Sequence, residues 1–151
     1  MTTIILTLIG ILLAAAAALM TVFYGSQAFS SSNANAGAVT LVNAAENVST
    51  AFRIFFVARH ERPATISEMM PVYLAQVPNL GATGVLSDNI TSSSGAYPGS
   101  FMRATNVTSS VCEKVNENTG NNSAATALAG EMPGRVGCNV NDLVFYARLG
   151  S

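Results

Sequence analysis

The sequence is poor in charge, and its first third has none. Charged residues make up 10% of the 151 residues, well below the roughly 25% that is usual in soluble proteins. The first charged residue of either sign is Glu46, and the net charge is −1. A net charge this close to zero gives no indication of binding to nucleic acid or to anionic membranes. We therefore predict no nucleic-acid site.

Side chains that catalyse reactions or bind metals are also scarce. The chain has one histidine, His60, two cysteines and no tryptophan. It shows no Ser–His–Asp, metal-ligand or glycine-loop spacing. Glu61 adjoins His60, but adjacent residues on a helix do not face each other, so we interpret His60 as a solvated cation at a helix end. We therefore expect no enzyme activity, no cofactor and no metal.

A long apolar run opens the chain, from Met1 to Gly25 (MTTIILTLIGILLAAAAALMTVFYG). A secretory signal peptide has a basic first region and an apolar core of about 7–15 residues. This run has no basic region, and it is longer than such a core. It meets the length of about 20 residues that a membrane anchor needs, yet no Lys or Arg near either end fixes its orientation. A third interpretation is that a basic leader has been removed, so that the mature chain starts inside the apolar helix.

A helical pattern follows over residues 38–60 and ends at the sequence ARHERP. Arg59 and Arg62 suit a helix C-terminus, and Pro63 blocks its continuation. The simplest interpretation is one helix from Thr2 to about His60, apolar on all sides over residues 1–25 and amphipathic over 38–60, with a weak stretch around Gly25–Gly37. Its apolar residues recur at three- and four-residue steps: Leu41 or Val42, Ala45, Val48, Phe52, Phe55 and Phe56.

The rest of the chain predicts a small α+β head. With the amphipathic half-helix it forms one domain over residues 26–151, in which a few antiparallel strands pack on that helix. The predicted elements are a short helix from Thr65 (TISE), a short strand at 84–86, a strand over 100–107, a helix over 110–118 that opens with a capping box (SVCE), and a strand over 141–149.

Cys112 and Cys138 both lie in the head. Two well-separated cysteines in a chain whose apolar start suggests export favour one disulfide. The alternative is two free thiols in a cytosolic protein.

The composition of the apolar run bears on what buries it. Ala14–Ala18 is a run of five alanines, and Gly10 lies one turn before it. Small residues let helix backbones approach closely, whereas a passive lipid anchor gains more from larger side chains. We therefore predict that the run packs against other helices, through Ile4, Ile5, Leu8, Gly10, Ile11, Ala15, Ala18 and Leu19.

The order of these features resembles that of type IV pilins and is most similar to the type IVb group. Mature chains of that group often begin with Met, as here with MTTIILTLIG. The stretch AVTLVNAAENVSTAFRIFF resembles the second half of their first helix. SVCEKVN and GCNVNDLVFYARL resemble their paired cysteines, the second of which leads into a terminal strand.

This resemblance implies a structural subunit that waits in the inner membrane and is assembled by pilus machinery into an extracellular filament of identical copies. The filament would serve adhesion, motility or DNA transfer, and Met1 would be the processed and methylated residue. Pilins usually carry a glutamate at mature position 5, where this chain has Ile5; the hydroxyls of Thr2, Thr3 and Thr7 are candidates to satisfy the terminal amine instead.

Two alternatives stay open. Archaeal-type filament subunits also lack that glutamate, and a single-pass protein with a periplasmic binding head would share the anchor and the disulfide. For a filament we predict inter-subunit contacts by arginines with Glu46, Glu61 or Glu113, each exposed ion pair being worth about 0–1 kcal/mol. The arginines are Arg53, Arg59 and Arg62.

Overall fold

The structure is a computed structural model that describes residues 2–94, 98–121 and 134–150, except for the side chains of residues 2–4, 23 and 26–28. The chain divides into two compact units, Met1–Asn33 and Ala34–Ser151. The elements of these ranges form an α+β fold, as predicted. They are α1 (Thr2–Arg59), two 3-10 turns (Ser67–Met69 and Gly81–Thr83), β1 (Val85–Leu86), β2 (Thr91–Ser93), β3 (Gly99–Thr105), α2 (Ser109–Thr119), β4 (Val136–Asn139) and β5 (Val144–Leu149).

The prediction of one long first helix is confirmed. α1 continues through Gly25 and Gly37 and ends at Arg59. His60 then adopts a positive φ of 57°, and its backbone N–H donates to Phe56 O at 2.8 Å. This left-handed residue closes the helix in the way that commonly ends helices, three residues before Pro63.

The second half of α1 buries one face against the sheet. Phe55 ends this face, and its ring meets the ring of Tyr73 edge-on with centroids 5.3 Å apart. Phe56, which the pattern placed on the same face, is 43% exposed instead, because successive helical residues point about 100° apart. The buried residues at three- and four-residue steps are Ala34, Ala38, Leu41, Ala45, Val48, Phe52 and Phe55.

The sheet is antiparallel, with strand order β1-β3-β5-β4 and with β2 also paired to β3. Met102 lies opposite Ala147, and Cys138 lies opposite Phe145. These side chains alternate with outward ones and belong to the same core as the buried face of α1. The sheet therefore covers the amphipathic half of α1.

The predicted strands at 100–107 and 141–149 correspond to β3 and β5, although residues 141–143 form a turn before β5. The predicted short strand at 84–86 is β1, whereas β2 and β4 were not predicted. The TISE helix is a single 3-10 turn, in which Glu68 N donates to Thr65 Oγ1 at 3.3 Å. The predicted capping role of Ser110 is wrong, since α2 starts at Ser109 with Thr108 as its N-cap.

Candidate functional site

The first half of α1 presents an exposed apolar surface. Its segment Ile5–Val22 is long and apolar enough to cross a membrane, and none of it is buried. Leu6, Leu12 and Leu13 are each about two-thirds exposed. Soluble monomers rarely leave so large a contiguous apolar surface uncovered, so this segment is suited to act as a membrane anchor or signal, or to pack on other helices.

Most of the residues that we predicted to pack in a filament core lie on this surface. Leu8, Ile11, Ala15 and Ala18 are three or four residues apart and so share one side of the helix. A Cβ atom placed on Gly10 would meet no other atom within 4 Å. Whether these residues pack against other copies stays a prediction; Met1 and the side chain of Ile4 lie outside the described part of the chain. The exposed ones are Ile5, Leu8, Gly10, Ile11, Ala15, Ala18 and Leu19.

The hydroxyl of Thr21 is satisfied within the helix. Its Oγ1 donates to Ala17 O at 3.0 Å and to Ala18 O at 2.9 Å. Such bonds to preceding carbonyls remove the need for an external partner. This end of Ile5–Val22 can therefore face lipid or another apolar helix without leaving a polar group unpaired.

The charged residues predicted to join subunits are all on the surface. Glu46, Arg53, Arg59 and Arg62 are exposed. Arg59 lies over the ring of Phe55, with its guanidinium carbon 5.2 Å from the ring centroid. None of the four has an ion-pair partner within residues 2–94, 98–121 and 134–150. Their charges are therefore available to another molecule.

Two of these arginines border one groove. It has a volume of about 390 Å³, within the range of about 300–1,000 Å³ that is typical of small-molecule sites. Exposed Phe56 forms part of its wall. Its lining is apolar with two cations: Phe52, Arg53, Phe56, Val57, Arg62, Pro98, Gly99, Ser100, Leu149 and Gly150.

A disulfide joins α2 to β4, as the two cysteines predicted. Cys112 and Cys138 are bonded, and both are fully buried. Beside this bond, Asn116 Nδ2 donates to Cys138 O at 2.8 Å, and Cys138 N donates to Asn116 Oδ1 at 2.9 Å. Asn121 Nδ2 donates to Val136 O at 3.1 Å on the same edge of β4. The disulfide and the Asn116 amide thus fasten α2 to the outer edge of the sheet, and the Asn121 amide adds a bond just beyond the end of the helix.

The sequence contained a signal for Asn116 that our prediction missed. Val111, Cys112 and Val115 are the apolar residues of α2, and Asn116 follows them at the spacing of the same helix face. Asn116 is 4% exposed. A polar residue on an otherwise apolar face indicates a buried hydrogen-bonding role, here to the backbone of β4.

His60 lies at the surface beyond the end of α1, in the place where we expected a solvated cation. Within the part of the chain that the structure describes, no three His, Cys, Asp or Glu residues are grouped to hold a metal ion. Comparison of the chain with protein-family models, with curated proteins and with solved structures gives no match.

Proposed function

We propose that this chain is a structural subunit of an extracellular filament of the type IV pilin kind. In this proposal the apolar half of α1 holds each copy in the membrane before assembly and packs against the same segment of other copies afterwards. The head then forms the outside of the filament. A filament subunit of this kind has no catalytic step, so its interaction surfaces carry the function.

The observation that carries the proposal is the change of surface along one helix. α1 leaves Ile5–Val22 wholly exposed and apolar, while its buried residues between Ala34 and Phe55 belong to the core of a disulfide-bonded head. Neighbouring copies are a suitable partner for the exposed segment, because its alanines permit close backbone approach. Helix association in lipid depends on such packing rather than on the hydrophobic effect.

The test is to enlarge the small residues without lowering the apolar character of the segment. Ala15→Leu and Ala18→Leu should leave membrane insertion intact, since leucine favours it, and should prevent close packing of helices. We expect these variants to be retained in membranes but to yield few filaments in material sheared from cells, as judged by electron microscopy. Leu8→Ile, which conserves volume, is the control and should assemble normally.

Two results would contradict the proposal. One is a wild-type chain that is abundant in membranes but yields no filaments on shearing. The other is undiminished assembly by Ala15→Leu and Ala18→Leu, because that would show that helix packing is not close in this segment.

A second candidate function is a membrane-anchored binding module. The groove beside Arg53 and Arg62 favours it, because guanidinium groups on apolar walls suit an anionic ligand. Such a module would remain a small species in detergent extracts and would be absent from sheared material. Size-exclusion chromatography of both fractions separates the two functions.

A further inference from the structure

The groove beside the end of α1 contains a hydroxyl that no described residue binds. Ser100 is 3% exposed, and its Oγ has no hydrogen-bond partner in the described part of the chain. Fully enclosed side-chain oxygens of the described residues all have partners, so the small exposed area of Ser100 includes its Oγ.

This hydroxyl faces the groove. Ser100 lies on the same side of β3 as Met102, because alternate residues of a strand share a side, and Met102 belongs to the core that includes α1. Ser100 also lines the groove. Since a buried hydroxyl without a partner costs free energy, it is suited to bond a polar atom of a ligand.

Exposure rises from the floor of the groove to its rim. Leu149 and Phe52 at the floor are 2% and 5% exposed, whereas Phe56 is 43% exposed. The side chains of Arg53 and Arg62 are exposed as well. The groove therefore has three levels, which are a hydroxyl at the floor, apolar walls and two cations at the rim.

The two cations at the rim have no counter-charge within the groove. Neither Arg53 nor Arg62 has an ion-pair partner among the described residues, and none of the described residues that line the groove is acidic. Guanidinium groups bind carboxylates through paired N–H donors and stack on aromatic rings. The rim therefore favours an anionic ligand with an aromatic body.

We propose that this groove binds a small hydroxyaryl carboxylate. The hydroxyl of the ligand bonds to Ser100 at the floor. Its ring packs against Phe52 and Phe56, because aromatic rings attract each other in offset and edge-to-face arrangements. Its carboxylate lies at the rim, where it accepts from Arg53 and Arg62.

This inference goes beyond the filament function and does not depend on it. The lining residues all belong to the unit Ala34–Ser151, so the head can bind the ligand in a filament and in an anchored module alike. The groove volume of about 390 Å³ is at the lower end of the range for small-molecule sites. We therefore assign the groove to a free small molecule.

NMR titration of the isotope-labelled full chain in a non-ionic detergent tests the site. The probe is para-hydroxyphenylpropionate, and the backbone amide signals of Gly99 and Gly150, which both line the groove, report binding. We expect both signals to shift and to saturate. The signal of Gly120, which follows α2 and lies outside the lining, should not move. The absence of a saturable shift at Gly99 and Gly150 would overturn the proposal.

Two related probes test the two ends of the ligand separately. Phenylpropionate lacks the hydroxyl and should bind about fivefold more weakly, as expected for the loss of one hydrogen bond. The amide para-hydroxyphenylpropionamide lacks the charge and should also bind about fivefold more weakly. An amide that binds as tightly as the acid would overturn the proposal.

Variants of the full chain assign each end to its residues. Ser100→Ala should bind the probes with and without the hydroxyl equally, because the hydroxyl has lost its partner. Arg53→Gln and Arg62→Gln should each weaken binding of the acid by about fivefold. Arg59→Gln is the matched control, since it removes the same charge from the same end of α1 but outside the lining, and should bind as the wild type does.

Two results with these variants would contradict the assignment. One is a Ser100→Ala variant that still prefers the hydroxylated probe, and the other is an equal loss of binding in Arg59→Gln and Arg53→Gln. Failure of the filament function gives a different result. If the probe binds but sheared material contains no filaments, the ligand site stands and the filament function fails; if filaments form but the probe does not bind, only the ligand site is wrong.

Discussion

Asn116 supplies to Cys138, through its side-chain amide, the two hydrogen bonds that an adjacent strand would supply. The amide of Asn116 both donates to Cys138 O and accepts from Cys138 N, at 2.8 and 2.9 Å. Asn121 Nδ2 donates to Val136 O at 3.1 Å. An open strand edge is a template for pairing with strands of other chains. These two amides occupy the backbone groups of β4 that such a strand would bind.

Asn116→Ala should destabilise the head by about 2–4 kcal/mol, because it leaves a buried N–H and a buried C=O without partners. Denaturant unfolding of the detergent-solubilised full chain measures this free energy. The matched control is Asn118→Ala on the same helix, which removes only an exposed bond to Asn35 Oδ1 and should cost less than about 1 kcal/mol. Equal effects of the two variants would contradict the proposed role of Asn116.

The sequence was sufficient to predict the elements that depend on local patterns. The apolar run over residues 1–25 and the repeat of apolar residues over 38–60 together predict α1. The alternation of apolar and polar residues predicts β3 and β5, in which every second side chain faces the core. Cys112 and Cys138 predict their own bond, since each is the other's single candidate partner in the chain.

The features that were missed depend on neighbours distant in sequence. β4 is four residues long and contains Gly137; it is a strand because β5 lies beside it, with Gly137 opposite Tyr146. The groove unites Arg53 with Gly99 and Leu149, and no local pattern links these positions. The spacing of Asn116 indicates that it is buried, but no local pattern identifies its hydrogen-bonding partner, which is the edge of β4.

Loss of the disulfide should destabilise the head substantially. Cys112 and Cys138 close a loop with a sequence separation of 26, for which the chain-entropy model gives about 3.5 kcal/mol. The double variant Cys112→Ala with Cys138→Ala should therefore unfold at lower denaturant concentration than the wild type. Reduction with dithiothreitol should lower the wild-type midpoint but leave that of the double variant unchanged. A shift of the double variant on reduction would show that the reductant acts elsewhere.

Gly37→Ala should lower stability even though alanine favours helices by about 1 kcal/mol over glycine. A Cβ atom at Gly37 would lie 2.8 Å from Val111 Cγ2 and 3.2 Å from Thr83 Cγ2. Overpacking of this kind costs about 1–3 kcal/mol, and we expect it to exceed the helical gain. The unfolding free energy of the full chain measures the balance.

A double-mutant cycle checks the cause of the Gly37→Ala effect. In a Val111→Ala background the methyl groups of Val111 are absent and only Thr83 Cγ2 still crowds the added Cβ atom, so Gly37→Ala should be less destabilising than in the wild type. If Gly37→Ala is equally destabilising in both backgrounds, contact with Val111 is not the reason for glycine at this position.

The stability of the head should fall at high pH partly because of Tyr146. Burial raises the pKa of the Tyr146 phenol; the guanidinium of Arg103 lowers it in part, and the Asp142 carboxylate raises it further. The unfolded chain, whose tyrosine pKa is about 10, then loses this proton at lower pH than the folded chain does. The contribution of Tyr146 is therefore fully present below pH ~10 and is lost as pH rises through the folded-state pKa.

Unfolding midpoints of the full chain measured from pH 7 to pH 11 test this contribution. Tyr146→Phe removes the phenol, so its midpoint should decline less steeply above pH ~10 than that of the wild type. A Tyr146→Phe variant with the wild-type slope would show that the Tyr146 phenol contributes nothing to the alkaline loss of stability.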